Sequence, residues 1–518
     1  MADLLEGSLW ATKLNIVWAI ASKIITFALN AFVLRLISGH VLGIINVRLL
    51  LLVDSILFIS REAFRKACLK KPENNDWKGT LNLVWLSVPI GIFASIFLGY
   101  VWAFVLELPE DPGLQDQYQK GVALMCMSAI IELSFEPFFI VGQIFMWFGF
   151  RTFVDGCGHV CRAILLALIV KFYPENTILL FGWSYVLSVA IQWILYFTKV
   201  TKIFRENAHD LQPLNTIRDL FPSPNDCHVD QERKILAFSF LRQGLLKQLL
   251  TEGEKYLFTI FSLMTLAEQG IYDVIANLGS LAPRLVFSKI EEGAYLYFNQ
   301  KVQRGSQVQP QISNQLFMYL RTMSLIAWIV FVFGYSYSHL LLYIYGGANL
   351  TSGLGPTLLR GHCFYVLFLA VNGVSECFSF ALMTSDEVNS FNYKMSVMTK
   401  VYLLCAWNLV TVLGPIGFIL ANCCNFAMRI AHSCYVIHRQ GGSEALKGFL
   451  PSPPSMVSLI VSGIVCQISE RVVYDPSEFG RILAHLVVGG VCFFNSLLVI
   501  YYTERDYIQL KNVKTHTE

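Results

Sequence analysis

Apolar residues dominate the chain in runs of roughly 20, each long enough to cross a hydrocarbon core of about 30 Å as a helix. Within the runs, apolar and polar residues do not alternate one by one, so these are helices and not barrel strands. The pattern predicts fourteen spans. Six cover about residues 14–36, 42–60, 81–106, 121–142, 153–172 and 178–198. A polar stretch holding Pro213, Pro222 and Pro224 follows. Six more cover about 235–261, 270–298, 318–345, 357–383, 394–413 and 415–437, and a last pair lies near 454–470 and 482–502. The expected organisation is an N-terminal six-helix bundle (1–200), a cytosolic linker (201–234), a second six-helix bundle (235–440), and two extra helices with a cytosolic tail (441–518).

Composition agrees with a polytopic membrane protein: 55% of the 518 residues are hydrophobic and 14% charged, where soluble domains carry about 25% charged. The net charge of +3 says little about partners, but the placement of charge sets the orientation. The connection after the second span carries Arg61, Arg65, Lys66, Lys70, Lys71 and Lys78, and the central linker region carries Lys199, Lys202, Arg205, Arg218, Arg233 and Lys234. By contrast, "LELPEDPGLQDQ" (106–117) and "GGANLTSGLGP" (346–356) contain no Lys or Arg. Basic even-numbered connections place them, and both termini, in the cytosol. The sequon Asn349-Leu350-Thr351 then faces the lumen. With Asp3 and Glu6 in place of a basic leader, the first span is expected to be an uncleaved anchor. The segments "GIINV" (43–47) and "GIYDV" (270–274) begin 227 residues apart. With equal span counts on either side of the linker, they suggest a tandem repeat of parallel orientation.

Several spans carry charge. In "NVRLLLLVDSILFISREAFRKA" (46–67), Asp54, Arg61 and Arg65 share one stripe, and Arg48 and Glu62 lie about 100° round. Other stripes are Lys23, Thr26 and Asn30, with Arg35 beyond; Gln243, Lys247, Thr251 and Glu254; and Asp273, Asn277, Ser280, Arg284, Ser288 and Glu291. Asn372, Glu376 and Ser379 make another, as do Asn422, Asn425, Arg429 and His432. A cation at mid-membrane costs about 2.5–3.5 kcal/mol on insertion scales, so such groups face protein or water. One reading is structural: Arg48–Glu62, Asp54–Arg61 and Arg284–Glu291 close as ion pairs, and Arg61 and Arg65 snorkel at the interface. The other is a hydrated cavity between two bundles, favoured because polar faces recur in both halves.

A cavity with excess Arg suits an anion, above all phosphate or pyrophosphate, whose oxygens match the guanidinium fork. Asn, Ser and Thr suit sugar hydroxyls. No phosphate-binding loop of the ATPase type is present, and no extramembrane segment is long enough for a catalytic domain. Cys157, His159 and Cys161 alternate along a helix and point to different faces, so no metal is expected there. No cofactor and no nucleic acid are expected either.

The ordered segments "NAFVLRLIS" (30–38), "NVRL" (46–49), "REAFRKAC" (61–68), "LKQLLTEGEKY" (246–256), "QGIYDVIANLGSLAPRLVF" (269–287), "IYGGANLTSGLGPTLLR" (344–360) and "GFILANCCN" (417–425) resemble the eukaryotic Rft family of endoplasmic reticulum membrane proteins. The resemblance implies the fold of the multidrug/oligosaccharidyl-lipid/polysaccharide exporter superfamily: an all-α protein with two six-helix bundles in a V and two C-terminal helices, as in lipid II flippases. It implies movement of a dolichol-pyrophosphate oligosaccharide, with two N-acetylglucosamines and five mannoses, from the cytosolic to the lumenal leaflet for N-glycosylation. Family positions that carry function fall on Arg35, Arg61, Arg65, Glu254, Arg284, Glu292 and Arg429. Of these, Arg35, Arg61, Arg65 and Arg284 would hold the pyrophosphate. Two alternatives stay open: a non-transporting accessory that binds the glycolipid or pathway enzymes, and an ion-coupled exporter of small solutes using Glu254 or Asp54.

The charge distribution makes a direct prediction. A glycosylation acceptor inserted into the 346–356 connection is expected to be modified in cells, and one inserted beside Lys71 is not. The opposite pattern would invert the orientation.

Overall fold

The structure, a computed structural model, describes residues 2–69, 76–206, 214, 216–222 and 229–508. Lys70, Lys71, Pro213, Pro224 and the side chains of Gln243, Lys247 and Thr251, which the sequence singles out, lie outside the described residues and side chains. The described chain is helical and contains no strand. It divides into two compact units, Met1–Gly270 and Ile271–Glu518.

The first unit contains α1 (Ala2–Leu34), α2 (Gly39–Cys68), α3 (Trp77–Val105), α4 (Pro112–Ser134), α5 (Glu136–Ile144), α6 (Phe148–Phe172), α7 (Thr177–Glu206) and α8 (Gln231–Ile260). Three of these helices start on an aspartate that accepts an otherwise unbonded N–H: Asp76 from Gly79 (2.9 Å), Asp111 from Gly113 (2.9 Å) and Asp230 from Arg233 (3.1 Å). Pro112 occupies the first turn of α4, where its missing N–H costs nothing. Pro137 has the opposite effect. It has no N–H for the carbonyl of Leu133, and the chain bends by 40° between α4 and α5. Helix α2 is the centre of this unit, with 72% of its apolar window buried. Leu49, Leu52 and Ile56 pack with Met125, Leu133, Phe138 and Ile140. Two π-turns, Gly43–Leu49 and Phe58–Glu62, interrupt α2.

Helix α9 (Leu266–Gly279) leads into the second unit. There follow a π-turn at Pro283–Phe287, α10 (Ser288–Lys301), α11 (Pro310–Ser336), α12 (Ser338–Gly346), α13 (Gly355–Leu382), α14 (Ser385–Leu413), α15 (Ile416–Arg439), α16 (Pro453–Val472) and α17 (Phe479–Ile508). Thr384 and Glu387 form a capping box at the start of α14. Gly414 adopts φ 65°, a conformation costly for other residues, and turns the chain into α15. Val366, Ala370, Val374 and Phe378 of α13 form the core with Phe298, Leu316 and Met323.

The α16–α17 hairpin packs on α11 and is held at both ends. At one end the buried carboxylate of Glu504 accepts from the Ser452 N–H (2.8 Å) and Ser455 Oγ (3.2 Å) and pairs with Arg321 (3.4 Å). At the other, the Tyr337 ring stacks on His485 (4.2 Å) and its hydroxyl donates to the His485 carbonyl (2.6 Å).

Nine helices among the described residues are long and apolar enough to cross a membrane, or ten if α4 and α5 form one broken span. Phe93, Ile96, Phe104, Val491 and Phe494 are exposed on these helices, as lipid-facing residues are. The expectation of fourteen spans adds α1, α8, α9 with α10, and α15. All four segments are helical, but they fall outside the nine or ten. For α15 the reason is visible: Asn422, Asn425, Arg429 and His432, its polar face, also lower its hydropathy.

The two glycines that open the repeated sequences meet. A Cβ on Gly43 would stand 1.9 Å from the Leu266 carbonyl oxygen, and one on Gly270 would stand 2.5 Å from Gly39 O and Gly43 N. Backbone cannot yield as a side-chain tip does. Gly43→Ala is therefore expected to destabilise the purified protein by about 1–3 kcal/mol, the usual cost of overpacking. Gly293, mid-helix with open space around it, provides the control: Gly293→Ala is expected to be neutral or to stabilise by up to about 1 kcal/mol. Thermal unfolding in detergent measures both.

Candidate functional site

The charged face of the first unit is built from two equal spacings. Arg61 and Arg65 are four residues apart on α2, one turn on the same face. Glu132 and Glu136 are four apart across the α4–α5 bend. They meet as two rungs: Arg61 Nη1 donates to Glu132 Oε1, and Arg65 Nε and Nη2 donate to Glu136 Oε1 and Oε2 at 2.5 and 2.6 Å. Glu136 is fully buried and is the first residue of α5, where the unbonded N–H groups of the helix also favour an anion. Arg65 further lies 3.8 Å from the Phe139 ring centroid. The bidentate pair commits Nε and Nη2 of Arg65, so Nη1 is the edge Glu136 leaves over. Two buried polar atoms beside these rungs, Ser60 Oγ and Arg61 Nε, have no hydrogen-bond partner among the described residues.

Helix α6 adds a second line of charge. Arg151 pairs with Asp155 (3.5 Å) and donates to Gln143 (3.1 Å). Two turns on from Asp155, Arg162 meets His159 Nδ1 (3.1 Å) and lies over the Tyr185 ring (4.6 Å). From α8, Lys255 pairs with Glu252 (3.2 Å), and the Tyr256 hydroxyl meets Ser55 Oγ (2.8 Å). Asp54 is exposed and makes no ion pair among the described residues, with Glu252, Lys255, Glu132 and Arg61 the charges around it.

The second unit has its own charged face. Arg429 of α15 places Nη2 2.6 Å from both oxygens of Glu376 on α13. Asn372 Nδ2 donates to Glu376 Oε2 (2.8 Å). Glu291 of α10 packs against Gly373, where a Cβ would meet its Oε1 at 1.7 Å. This close approach requires glycine. Arg284 is exposed and folds back on its own helix, donating to the carbonyls of Asn277 (2.6 Å) and Ser280 (3.3 Å). Glu292 is exposed and pairs with Lys289 (3.3 Å).

Of the seven residues named from the sequence, Arg61 and Arg65 are thus brought together. Arg429 stands in the separate Glu376 cluster, and Arg284 and Glu292 point to other partners. Arg35 is exposed near the end of α1, and Glu254 is half-buried on α8. The same-helix ion pairs considered above do not form the rungs. Arg48 and Glu62 are separated by about 21 Å at 1.5 Å per residue, too far for a direct bond, while Arg61 goes to Glu132 and Arg284 to the Asn277 and Ser280 carbonyls. Arg48 instead donates to the Glu107 carbonyl, with its carboxylate 3.9 Å away.

Glu132, Glu136, Arg151, Asp155 and Arg162 were not legible as site residues, although a signal existed. Arg151, Asp155, His159 and Arg162 recur at helical spacing and form a stripe like that of α2. The Cys157–Cys161 alternation obscured it.

Known proteins resemble the chain along nearly its whole length. The family described as Rft protein matches residues 7–513. The Man(5)GlcNAc(2)-PP-dolichol translocation protein RFT1 of Xenopus tropicalis is 38% identical over 513 residues, covering 96% of this chain and 95% of that one. The Mus musculus protein of the same name is 38% identical over 94% of this chain and 92% of its own. The Drosophila melanogaster one is 33% identical over 98% of both. Among solved structures, the lipid II flippase MurJ in an inward closed conformation superposes with a TM-score of 0.65 at 11% identity, over 96% of this chain and 100% of its own. An inward-facing multidrug resistance MATE transporter superposes with 0.55 at 11% identity, over 81% and 95%. The fold is therefore that of these exporters.

The two rungs predict an order of stability. Removing one partner of a buried pair costs about 3–5 kcal/mol, because the other charge is left in low dielectric. Arg65→Ala strands Glu136, which is fully buried, and is expected to cost more than Arg61→Ala, which strands the 16%-exposed Glu132. Adding Glu132→Gln to Arg61→Ala is expected to restore most of the loss, as read by thermal unfolding and cellular abundance.

Proposed function

This chain belongs to the Rft protein family, and on that basis we propose that it translocates a dolichol-pyrophosphate oligosaccharide of two N-acetylglucosamines and five mannoses from the cytosolic to the lumenal leaflet of the endoplasmic reticulum membrane, for N-glycosylation. The support is threefold. The relatives are named as Man(5)GlcNAc(2)-PP-dolichol translocation proteins. The fold is shared with a lipid flippase. The single observation that carries the reading is the pair of adjacent guanidiniums, Arg61 and Arg65, on a largely apolar span.

A sugar head will not cross hydrocarbon unaided, since every unbonded hydroxyl costs several kcal/mol there. The protein's task is to shield and neutralise it. The pyrophosphate competes with Glu132 and Glu136 for the guanidiniums, entering first at edges the carboxylates leave over, such as Arg65 Nη1. Binding is then an exchange of one counter-anion for another, and no bare cation is exposed in the empty state. Arg35 and Arg284 are further anion-binding residues in this reading. Glu254, Glu292 and Arg429 contact the headgroup, and the dolichol tail stays in lipid. The four further helices α1, α8, α9–α10 and α15 cross the membrane too, bringing the count to fourteen, with both termini cytosolic. The protein acts as a transporter, without catalysis and without a cofactor.

The test is leaflet exchange of the natural glycolipid in vesicles holding only the purified protein and no nucleotide. The native protein is expected to equilibrate the lipid across leaflets. The Arg61→Ala/Glu132→Gln variant, restored in stability, is expected to be at least about tenfold slower, the loss of one charge-assisted bond of about 1.5–3 kcal/mol. Native protein that leaves exchange at the protein-free rate would exclude translocation and favour the accessory reading. A double variant as fast as native would remove Arg61 from the site.

A further inference from the structure

A polar cavity of about 400 Å³ lies in the second unit and is lined by none of the candidate site residues named above. It sits where α11 gives way to α12 and where α16 turns into α17. Tyr335, Arg360, Gln467, Glu470, Arg471 and Tyr474 line it. Its volume is in the range of about 300–1,000 Å³ typical of small-molecule sites.

Its walls are fixed by their own bonds. Arg360 Nη2 meets Glu470 Oε1 at 2.6 Å, its Nε donates to Ser338 Oγ at 3.0 Å, and the guanidinium lies over the Tyr335 ring at 5.2 Å. His339, also on the wall, meets the Tyr474 hydroxyl through Nδ1 at 3.0 Å.

The chemistry of the lining selects among ligands. Arg360 is already held by Glu470 and Ser338 Oγ, which leaves Arg471 as the lining cation with no ion pair among the described residues. An acyl chain would leave Gln467, Glu470 and Arg471 without partners. A hexose matches on each count. Its hydroxyls both donate and accept. Glu470 and the Gln467 carbonyl accept, and the Gln467 amide and the exposed Arg471 donate.

We propose that this cavity binds neutral hexose units and holds the mannose-bearing part of the carried headgroup at the end of the second unit that bears the 346–356 connection. The charge distribution places that end in the lumen. The assignment of the mannose rests on the translocation reading; the hexose chemistry of the cavity does not.

The test uses full-length protein in lipid nanodiscs and the free oligosaccharide of two N-acetylglucosamines and five mannoses, without lipid or pyrophosphate. Saturation-transfer NMR reads which sugar protons touch the protein. Native protein is expected to saturate the mannose protons, and inorganic phosphate is expected not to compete. Gln467 and Arg471 take part in no ion pair among the described residues, so Gln467→Ala and Arg471→Ala should fold normally, with unfolding temperatures near native. Each is expected to weaken binding about two- to tenfold, one hydrogen bond's worth. The Arg61→Ala/Glu132→Gln variant is expected to bind the free sugar as native does. No saturation with native protein, displacement by phosphate, or native-like binding by both cavity variants would overturn the proposal. Failed leaflet exchange with intact sugar binding would instead sink the translocation reading and leave the hexose site standing.

Discussion

A charge inside a membrane must bring its counter-charge with it, and the architecture follows from that constraint. Moving an isolated carboxylate or guanidinium into low dielectric costs at least several kcal/mol even after relaxation. Several intramembrane cations here answer this by reaching to another segment. Arg61 and Arg65 of α2 reach α4 and α5, Arg429 of α15 reaches α13, and Arg321 of α11 reaches α17. These pairs join elements far apart in sequence, so they fix which helices are neighbours as well as neutralising charge. Lipid supplies no hydrophobic drive between helices, which makes such bonds more decisive here than their counterparts on a soluble surface.

The same pairs make the proposed function chemically reasonable. A site that binds an anion and then releases it cannot present naked guanidiniums between cycles. Resident carboxylates solve the problem, because they hold the cations when no substrate is present and compete for them when it leaves. The second unit uses the same device at Arg429 and Glu376, with Asn372 orienting the carboxylate. Placing sugar-binding chemistry away from charge-binding chemistry would divide a headgroup that is itself part anion and part neutral polyol.

Backbone irregularities lie beside these charges. The second π-turn of α2 contains Arg61 itself, and the turn at Pro283–Phe287 contains Arg284. Proline at 137 bends the α4–α5 pair so that Glu132 and Glu136 stay in step with Arg61 and Arg65. Glycine at 373 opens the notch that Glu291 fills.

The sequence by itself determined the helical membrane class, the apolar spans and the faces on which charge gathers, because both the length of a span and the 3.6-residue period are local properties. Its long ordered motifs also carried the family. It exposed Arg61 and Arg65 as neighbours, since four residues make one turn. It did not reveal that Glu132 and Glu136 receive them. A partner 71 residues away, across a proline-bent helix pair, has no periodic relation to α2. The stripes on one helix suggested Asp54 for Arg61, but Glu132 on a neighbouring helix takes its guanidinium. Only the tertiary structure decided the pairing, because counter-charges in an apolar medium are chosen by distance in space.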